Sequence, residues 1–411
     1  MQRTPDLSVP LNWTGIGNRV SVAPNAVVQD FGWEAANQRV GGLFQRSTRL
    51  AMYADSLMTP KAITDAFAAS GTFRFVPPPG GTNGTACIGW FDRYTCDRGW
   101  RPGNFLGFNL DGKGSGGCNV HMLASCNWLL QKFDIATIPN TVTPHTFTLA
   151  VNGNQYAMTL DGTTLGTITL TPEQLASGTT YDRFGFLNCQ VPDANPIELY
   201  LEEVNHGTGV NNFATEPNWE NYNNRVSFDD YYKTGAQNFG WRPGAVGGDF
   251  WRHDTAIATY LDTTNTLTFA TPFSASGKLV MELAASDADM LLGWFRDDAP
   301  LPLSNFAGVQ VGGPSQVGHY FAPTIYTSPP NRYYKWPAAI VHPDRLIRDW
   351  SISWNPATRT LTSTVNGVSA SLVLTAAQVS EGLSVNRFGV RNMTPGGKNI
   401  RIWFSDLSYT V

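Results

Sequence analysis

Apolar and polar residues alternate with a period of two along most of this chain. Phe147, Leu149 and Val151 alternate into Asn152-Gly153, and Tyr156, Met158 and Leu160 alternate out again. Such alternation marks a strand with one buried face, and Asn-Gly between two such runs predicts a tight hairpin. The figure returns at Leu361, Ser363 and Val365, then Asn366-Gly367, then Val368, Ala370 and Leu372. Helical periodicity is scarce. One short helix is predicted twice, at Thr171-Pro172-Glu173-Gln174 and at Thr375-Ala376-Ala377-Gln378. Each is a Thr-x-x-Gln capping box that stops at a glycine, Gly178 or Gly382. The pattern is that of an all-β chain.

These pairs belong to a longer repeat. Asn12-Trp13 with Asn18-Arg19 returns as Asn218-Trp219 with Asn224-Arg225, and Phe31-Gly32-Trp33 as Phe239-Gly240-Trp241. Gly41-Gly42 with Arg46 matches Gly247-Gly248 with Arg252, Gly89-Trp90-Phe91 matches Gly293-Trp294-Phe295, and Arg183-Phe184-Gly185 matches Arg387-Phe388-Gly389. A unit of this length is a whole domain and not a solenoid repeat. The sequence therefore predicts two tandem β-sandwiches from an internal duplication, residues 1–205 and 217–411, packed side by side. A short polar linker at 206–216, with His206-Gly207-Thr208-Gly209 and Asn211-Asn212, joins them. What both copies keep reads as scaffold, and what one copy keeps alone is where chemistry is sought.

Composition narrows the setting. Charged residues are 15% of the chain, against roughly 25% in an average soluble protein, while aromatics reach 12%. With 40 Gly and 26 Pro, this balance fits an extracellular β-sandwich better than a cytosolic α/β enzyme. The net charge of −4 comes without a basic stripe, which argues against nucleic acid as a partner. No apolar run approaches the roughly 18 residues of a membrane helix, so no membrane partner is expected. Met1-Gln2-Arg3-Thr4-Pro5 lacks the apolar core of a signal peptide, yet Cys87, Cys96, Cys118 and Cys126 crowd one stretch without C-x-x-C spacing. That crowding predicts disulfides, Cys118–Cys126 as a hairpin clasp, with Cys189 a buried thiol. The expected setting is extracellular or periplasmic, with a leader removed.

Several motifs carry a resemblance. Gly41-Gly42-Leu43-Phe44-Gln45-Arg46 precedes a strand ending Ala69-Ser70-Gly71-Thr72-Phe73, then Gly-Trp-Phe, Asp182-Arg183-Phe184-Gly185 and a closing Leu199-Tyr200-Leu201-Glu202-Glu203. This order resembles the concanavalin-A-like lectin/glucanase sandwiches, most closely the copies found in bacterial extracellular proteins. The resemblance covers most of both halves and implies a jelly-roll fold. It leaves function open, because lectins, glycoside hydrolases, polysaccharide lyases and adhesive modules share that fold.

Shared charges come first. Glu203 and Asp406 share the strand face of inward apolar residues, and a repeated arginine (Arg19/Arg225, Arg46/Arg252 or Arg183/Arg387) is expected to hold them. Glu198 and Glu202, with Tyr200 between them, occur in copy one only; copy two has Arg401, Trp403 and Ser405. Two acids four apart on one strand face have Cα atoms about 13 Å apart. Sandwich endoglucanases use this spacing for nucleophile and acid/base, though with Asp where Tyr200 stands. The alternative is an edge strand whose outward acids discourage aggregation.

The second asymmetry is the segment from His319 to Arg348, which holds Tyr320, Tyr326, Tyr333, Tyr334, Lys335, Trp336, His342 and Arg345. Aromatic faces stack on the CH faces of sugar rings, and basic side chains bond hydroxyls or a uronate. The bland reading is a loop packing its rings on protein. Copy one offers His121, Trp128 and Lys132 in the same place. His319 with Tyr320 or Tyr334 matches the His–Tyr equipment of polysaccharide lyases, one group abstracting the proton α to a uronate carboxyl and another protonating the leaving oxygen. No catalytic cofactor is expected. Asn109-Leu110-Asp111-Gly112 and the acids Asp287, Asp289, Asp297 and Asp298 offer oxygens for a structural Ca²⁺, against their ordinary role in turns. The leading expectation is an extracellular protein recognising an oligo- or polysaccharide on aromatic loops or in the groove between its halves. A glycan-cleaving hydrolase or lyase is the alternative, and an apolar small-molecule cavity between the sandwiches is the third reading.

Overall fold

In the computed structural model the alternating runs become antiparallel strands. The structure describes residues 1–21, 25–56, 59–96, 102–190, 195–230, 236–253, 256–285, 287–296, 303–313, 318–337 and 340–411. Pro144–Asn152 turns at Asn152-Gly153 into Gln155–Leu160, and Thr360–Val365 turns at Asn366-Gly367 into Val368–Val373. Both capping boxes form. Thr171 and Thr375 accept from the backbone of Gln174 and Gln378, whose side chains reach back to the cap N–H.

The chain divides into two units, Pro24–Tyr232 and Met1–Ala23 with Lys233–Val411. Each is an antiparallel jelly-roll sandwich. In the first, an eight-stranded sheet packs its inward apolar residues against a seven-stranded sheet. The smaller sheet runs Leu129–Ile138, Cys118–Cys126, Phe105–Gly112, Thr85–Phe91, Arg183–Asn188, Met52–Asp55 and Glu220–Tyr222. Between the layers lie Phe44, Phe73, Trp90, Phe108, Phe147 and Leu199, all buried. In the second unit the equivalent sheet runs Thr14–Ile16, Thr259–Thr268, Ser384–Asn392, Asp289–Phe295, Phe306–Gly312, Tyr320–Tyr326 and Arg332–Tyr334. Trp294 fills its core against Phe273 and Phe388.

These units differ from the expected boundaries at 1–205 and 217–411. Thr14–Ile16 pairs with Thr259–Thr268, and Arg19–Val20 with Gln237–Arg242. Reciprocally, Glu220–Tyr222 pairs with Met52–Asp55, and Arg225–Asp230 with Asn25–Glu34. The leading strands of each repeat thus complete the sandwich built from the rest of the other repeat. The repeated motifs are the latch. Asn18 Nδ2 donates to the Phe239 carbonyl (2.7 Å), and Asn224 does the same to Phe31. Trp241 donates to the Leu7 carbonyl and Trp33 to that of Phe213, each at 3.0 Å. Gly240 and Gly32 leave room for this approach, since a Cβ on either would sit 3.1 Å from a latch nitrogen. Trp33 and Trp241 are accordingly half-buried, whereas Trp90 and Trp294 are true core residues. The expected linker is packed as well, with His206 and Phe213 buried and a bridge between Val204 and Asn211.

Three further expectations are corrected. Cys118 and Cys126 are the two ends of one strand, about 26 Å apart at strand rise, so they form no clasp. No disulfide joins the described cysteines, and all five are buried. Pro196–Asn205, which carries Glu198 and Glu202, lies inside its sheet between Phe67–Val76 and Arg39–Gln45, not at an edge. Its register slips between Leu201 and Glu203, a bulge that turns Glu203 out to solvent. The second unit bends at the same point. Asp406 there has φ 49° and is exposed, paired with Lys278 at 2.6 Å. The repeated arginines hold other acids: Arg46 meets Asp111 at 2.7 Å, and Arg183 meets Glu220 at 2.8 Å.

Candidate functional site

The outward residues of the seven-stranded sheet in the second unit form rows across the strands. One row reads Leu261, Gly389, Gly293, Gly308, Thr324 and Tyr334. The middle of this face is closed by Leu291, Phe295, Leu303, Phe306 and Met393, which bury one another. Its Tyr334 end is open. There Tyr320 lies opposite Gly312, and Trp336 packs 5.1 Å from the Tyr320 ring and 5.3 Å from the Tyr334 ring. A Cβ on Gly313 would lie 2.5 Å from the Tyr320 ring, so glycine lets that ring lie against the backbone. Tyr334 is 44% exposed, and the Arg332 guanidinium stacks over it at 4.3 Å.

Under these rings runs a polar chain whose Arg332 and Gln310 sequence reasoning did not single out, although it named Asp289 and Arg252 for other roles. Arg332 donates to Gln310, whose amide donates to Asp289 (2.8 Å), and Arg252 meets the other Asp289 oxygen at 3.2 Å. Burial pushes the Asp289 carboxyl up against the pull of Gln310 and Arg252. The chain fixes Arg332, and Arg332 holds the Tyr334 face. Rings with one open face, backed by fixed donors, can stack on a sugar ring and bond its hydroxyls.

The structure sorts the expected residues. Tyr320, Tyr334 and Trp336 come together. Tyr326 is half-buried with Arg332 at 5.9 Å from its ring, and burial pushes its phenol up. Tyr333 points elsewhere, donating to Glu381 at 2.7 Å, and Lys335 is exposed. His342 is half-buried; Arg345 is exposed, its N–H donating to the Met281 carbonyl at 3.2 Å. His319 is sealed in the interior. Neither ring nitrogen has a hydrogen-bond partner among the described residues, and burial pushes its pKa down to about 3. Its ring is fully buried, so it is not presented beside the Tyr320 and Tyr334 rings.

In the first unit, His121 and Lys132 converge on Asp134. His121 Nδ1 lies 2.6 Å from that carboxylate, off the line of a good hydrogen bond, and Lys132 Nζ lies 3.1 Å from it. Trp128 is buried against Gly103 and offers no ring face to solvent. Glu198 accepts from the Tyr200 hydroxyl (2.7 Å), and Glu202, in the bulge, is held by Arg74 at 2.6 Å. Both carboxylates are engaged by neighbours, with Tyr200 and its stacked Arg39 between them. Of the acids considered for Ca²⁺, Asp111 faces Arg46 while Asp287 and Asp289 face Arg252. Asp297 and Asp298 lie outside the described residues.

Strand order and pairing define the class as a pair of all-β jelly-roll sandwiches, each with an outward sheet face of its own. No protein-family model and no curated protein matches the sequence. Among solved structures, domains LG4-5 of the mouse laminin alpha1 chain are similar at 11% identity, over 95% of this chain and 90% of that one, with a TM-score of 0.29. The metal-free Emp46p carbohydrate recognition domain is similar at 13% identity over 47% of this chain and 97% of that one, TM-score 0.30. Peanut lectin with a nine-residue peptide is similar at 13% identity over 40% and 84%, TM-score 0.27. At these scores the fold rests on the strand pairing itself. No described helix is long and apolar enough to cross a membrane.

Proposed function

We propose that this protein recognises an oligo- or polysaccharide outside the cell, at the ring cluster of Tyr320, Tyr334 and Trp336. The observation that carries this reading is the open Tyr334 face, set beside Trp336 and clamped by Arg332. An exposed ring held over one face and along its edge loses little freedom on binding, so its contact area counts towards affinity. The role proposed is recognition, and the ring cluster is what supports it.

The test is retention on a panel of neutral and uronate-bearing polysaccharides, with products followed by mass spectrometry. Wild-type protein should be retained without shortening the chains, and Trp336→Ala should lose retention at least tenfold with its melting temperature unchanged within about 2 °C. Retention that survives both Trp336→Ala and Tyr334→Ala would move the ligand elsewhere. Shortened chains would replace recognition with cleavage.

A further inference from the structure

Because both sandwiches derive from one repeat, each shows what the other's fold requires. In the first unit the glycine row Gly107, Gly89, Gly185 continues to Ala54 and then Glu220. The Glu220 carboxylate meets Arg183 Nε at 2.8 Å and Arg93 Nε at 3.6 Å. Beside that row Leu187 lies between Cys87 and Met52, all three buried. In the second unit the row ends at Leu261 and Thr14. Thr14 stands at the Glu220 position, Arg387 repeats Arg183, and Arg391 replaces Leu187, between Leu291 and Thr259. One sandwich keeps an acid among its arginines. The other has a threonine at the acid's position and one arginine more.

The result is a pocket of about 220 Å³ in the second unit, lined by Arg296, Arg387 and Arg391. Ile16, Leu261 and Phe295 supply apolar walls, and Thr14 stands at its margin. Arg391 is 3% exposed, no described residue accepts a hydrogen bond from its guanidinium, and the one described group that acts on its charge is the Tyr326 phenol, not a carboxylate. Burial pulls its pKa down to about 10, which leaves it cationic at neutral pH. A buried cation without a counter-charge is destabilising, and Leu187 shows that the sheet needs no arginine at that position.

We propose that this pocket binds a ligand carboxylate, placed between Arg391 and Arg387 where Glu220 stands in the other sandwich, with an apolar ring or chain of the ligand on Ile16, Leu261 and Phe295. The planar guanidinium matches a carboxylate two bonds at a time. The volume admits one ring-sized group rather than a length of polymer. Two sources carry this chemistry, a terminal uronate of a glycan and a free apolar carboxylic acid. The site is separate from the Trp336 rings and stands whether or not these bind sugar.

The experiment is calorimetric titration of the full chain with benzoate and glucuronate, against benzamide and methyl glucoside as neutral counterparts. At least one carboxylate should bind saturably while its counterpart does not. Benzoate alone marks a free apolar acid as the source, and glucuronate alone an acidic sugar. Arg391→Leu, copying the other sandwich, should weaken binding at least tenfold without lowering the melting temperature. Thr14→Glu, which places an acid at the Glu220 position beside Arg391, should abolish binding and raise the melting temperature by about 2 °C or more. Absence of carboxylate binding together with no stabilisation by Thr14→Glu overturns the proposal. So does carboxylate binding that survives both substitutions. Retention through Trp336 should be unaffected by Arg391→Leu, which separates the two sites.

Discussion

His319 shows how little a residue's type says about its role. Beside Tyr320 in the sequence it reads as half of a proton-transfer pair, yet strand pairing turns Tyr320 outward and closes the His319 ring inside. The consequence is a pH dependence of folding. In the unfolded chain its imidazole takes a proton near pH 6.5, while burial holds this back to about 3 in the fold. Between those values the unfolded state binds more protons, so this residue's contribution is full above about pH 6.5 and is lost as pH falls, by up to about 1.4 kcal/mol per unit. His319→Leu should therefore gain stability relative to wild type between pH 7 and 5, measured by urea unfolding at each pH. Parallel curves would show that the imidazole is not sealed. Arg391 makes the complementary point. Its departure from Leu187 is visible in the aligned repeats, but its burial without an acid is not.

At the scale of elements, local rules worked where the element is local. The Asn-Gly hairpins and both capping boxes formed as the alternation and the Thr-x-x-Gln spacing required, because neighbours in sequence make all of those bonds. Glu203 and Asp406 were misplaced for the opposite reason. A bulge is set by the partner strand, and one extra residue turns every later side chain over. The glycine rows are a further cross-strand feature. Gly293 has φ 152°, and a Cβ there would lie 2.6 Å from the Gly308 Cα on the next strand, against backbone that cannot yield. Gly293→Ala should cost more than about 2 kcal/mol by urea denaturation. A loss below about 0.5 kcal/mol would mean that the row serves no packing purpose.

For the whole molecule the decisive fact is the exchange of leading strands. A fragment of residues 24–232 holds every strand of one sandwich, whereas residues 1–205 lack Glu220–Tyr222 and Arg225–Asp230. The first should unfold cooperatively as a soluble monomer. The second should leave Met52–Asp55 and Asn25–Glu34 with unpaired edges and should aggregate. Circular dichroism melts and gel filtration of the two fragments check this, and a cooperative 1–205 fragment beside a molten 24–232 would return the boundary to the sequence repeat.

The sequence by itself determined the duplication, the all-β class, the hairpins and the small capped helices, since each depends on periodicity or on residues a few positions apart. It also offered Tyr320, Tyr326, Tyr333, Tyr334, Trp336 and Trp128 as rings to watch, without sorting them. Only the tertiary structure decided which repeat supplies the leading strands of which sandwich, because both repeats carry the same Asn-Arg and Phe-Gly-Trp motifs. It alone separated the exposed ring of Tyr334 and the half-buried ring of Trp336 from the buried ring of Trp128. It alone showed Arg391 facing a pocket where Leu187 faces a filled core, because burial and pairing are set by strands far apart in the chain.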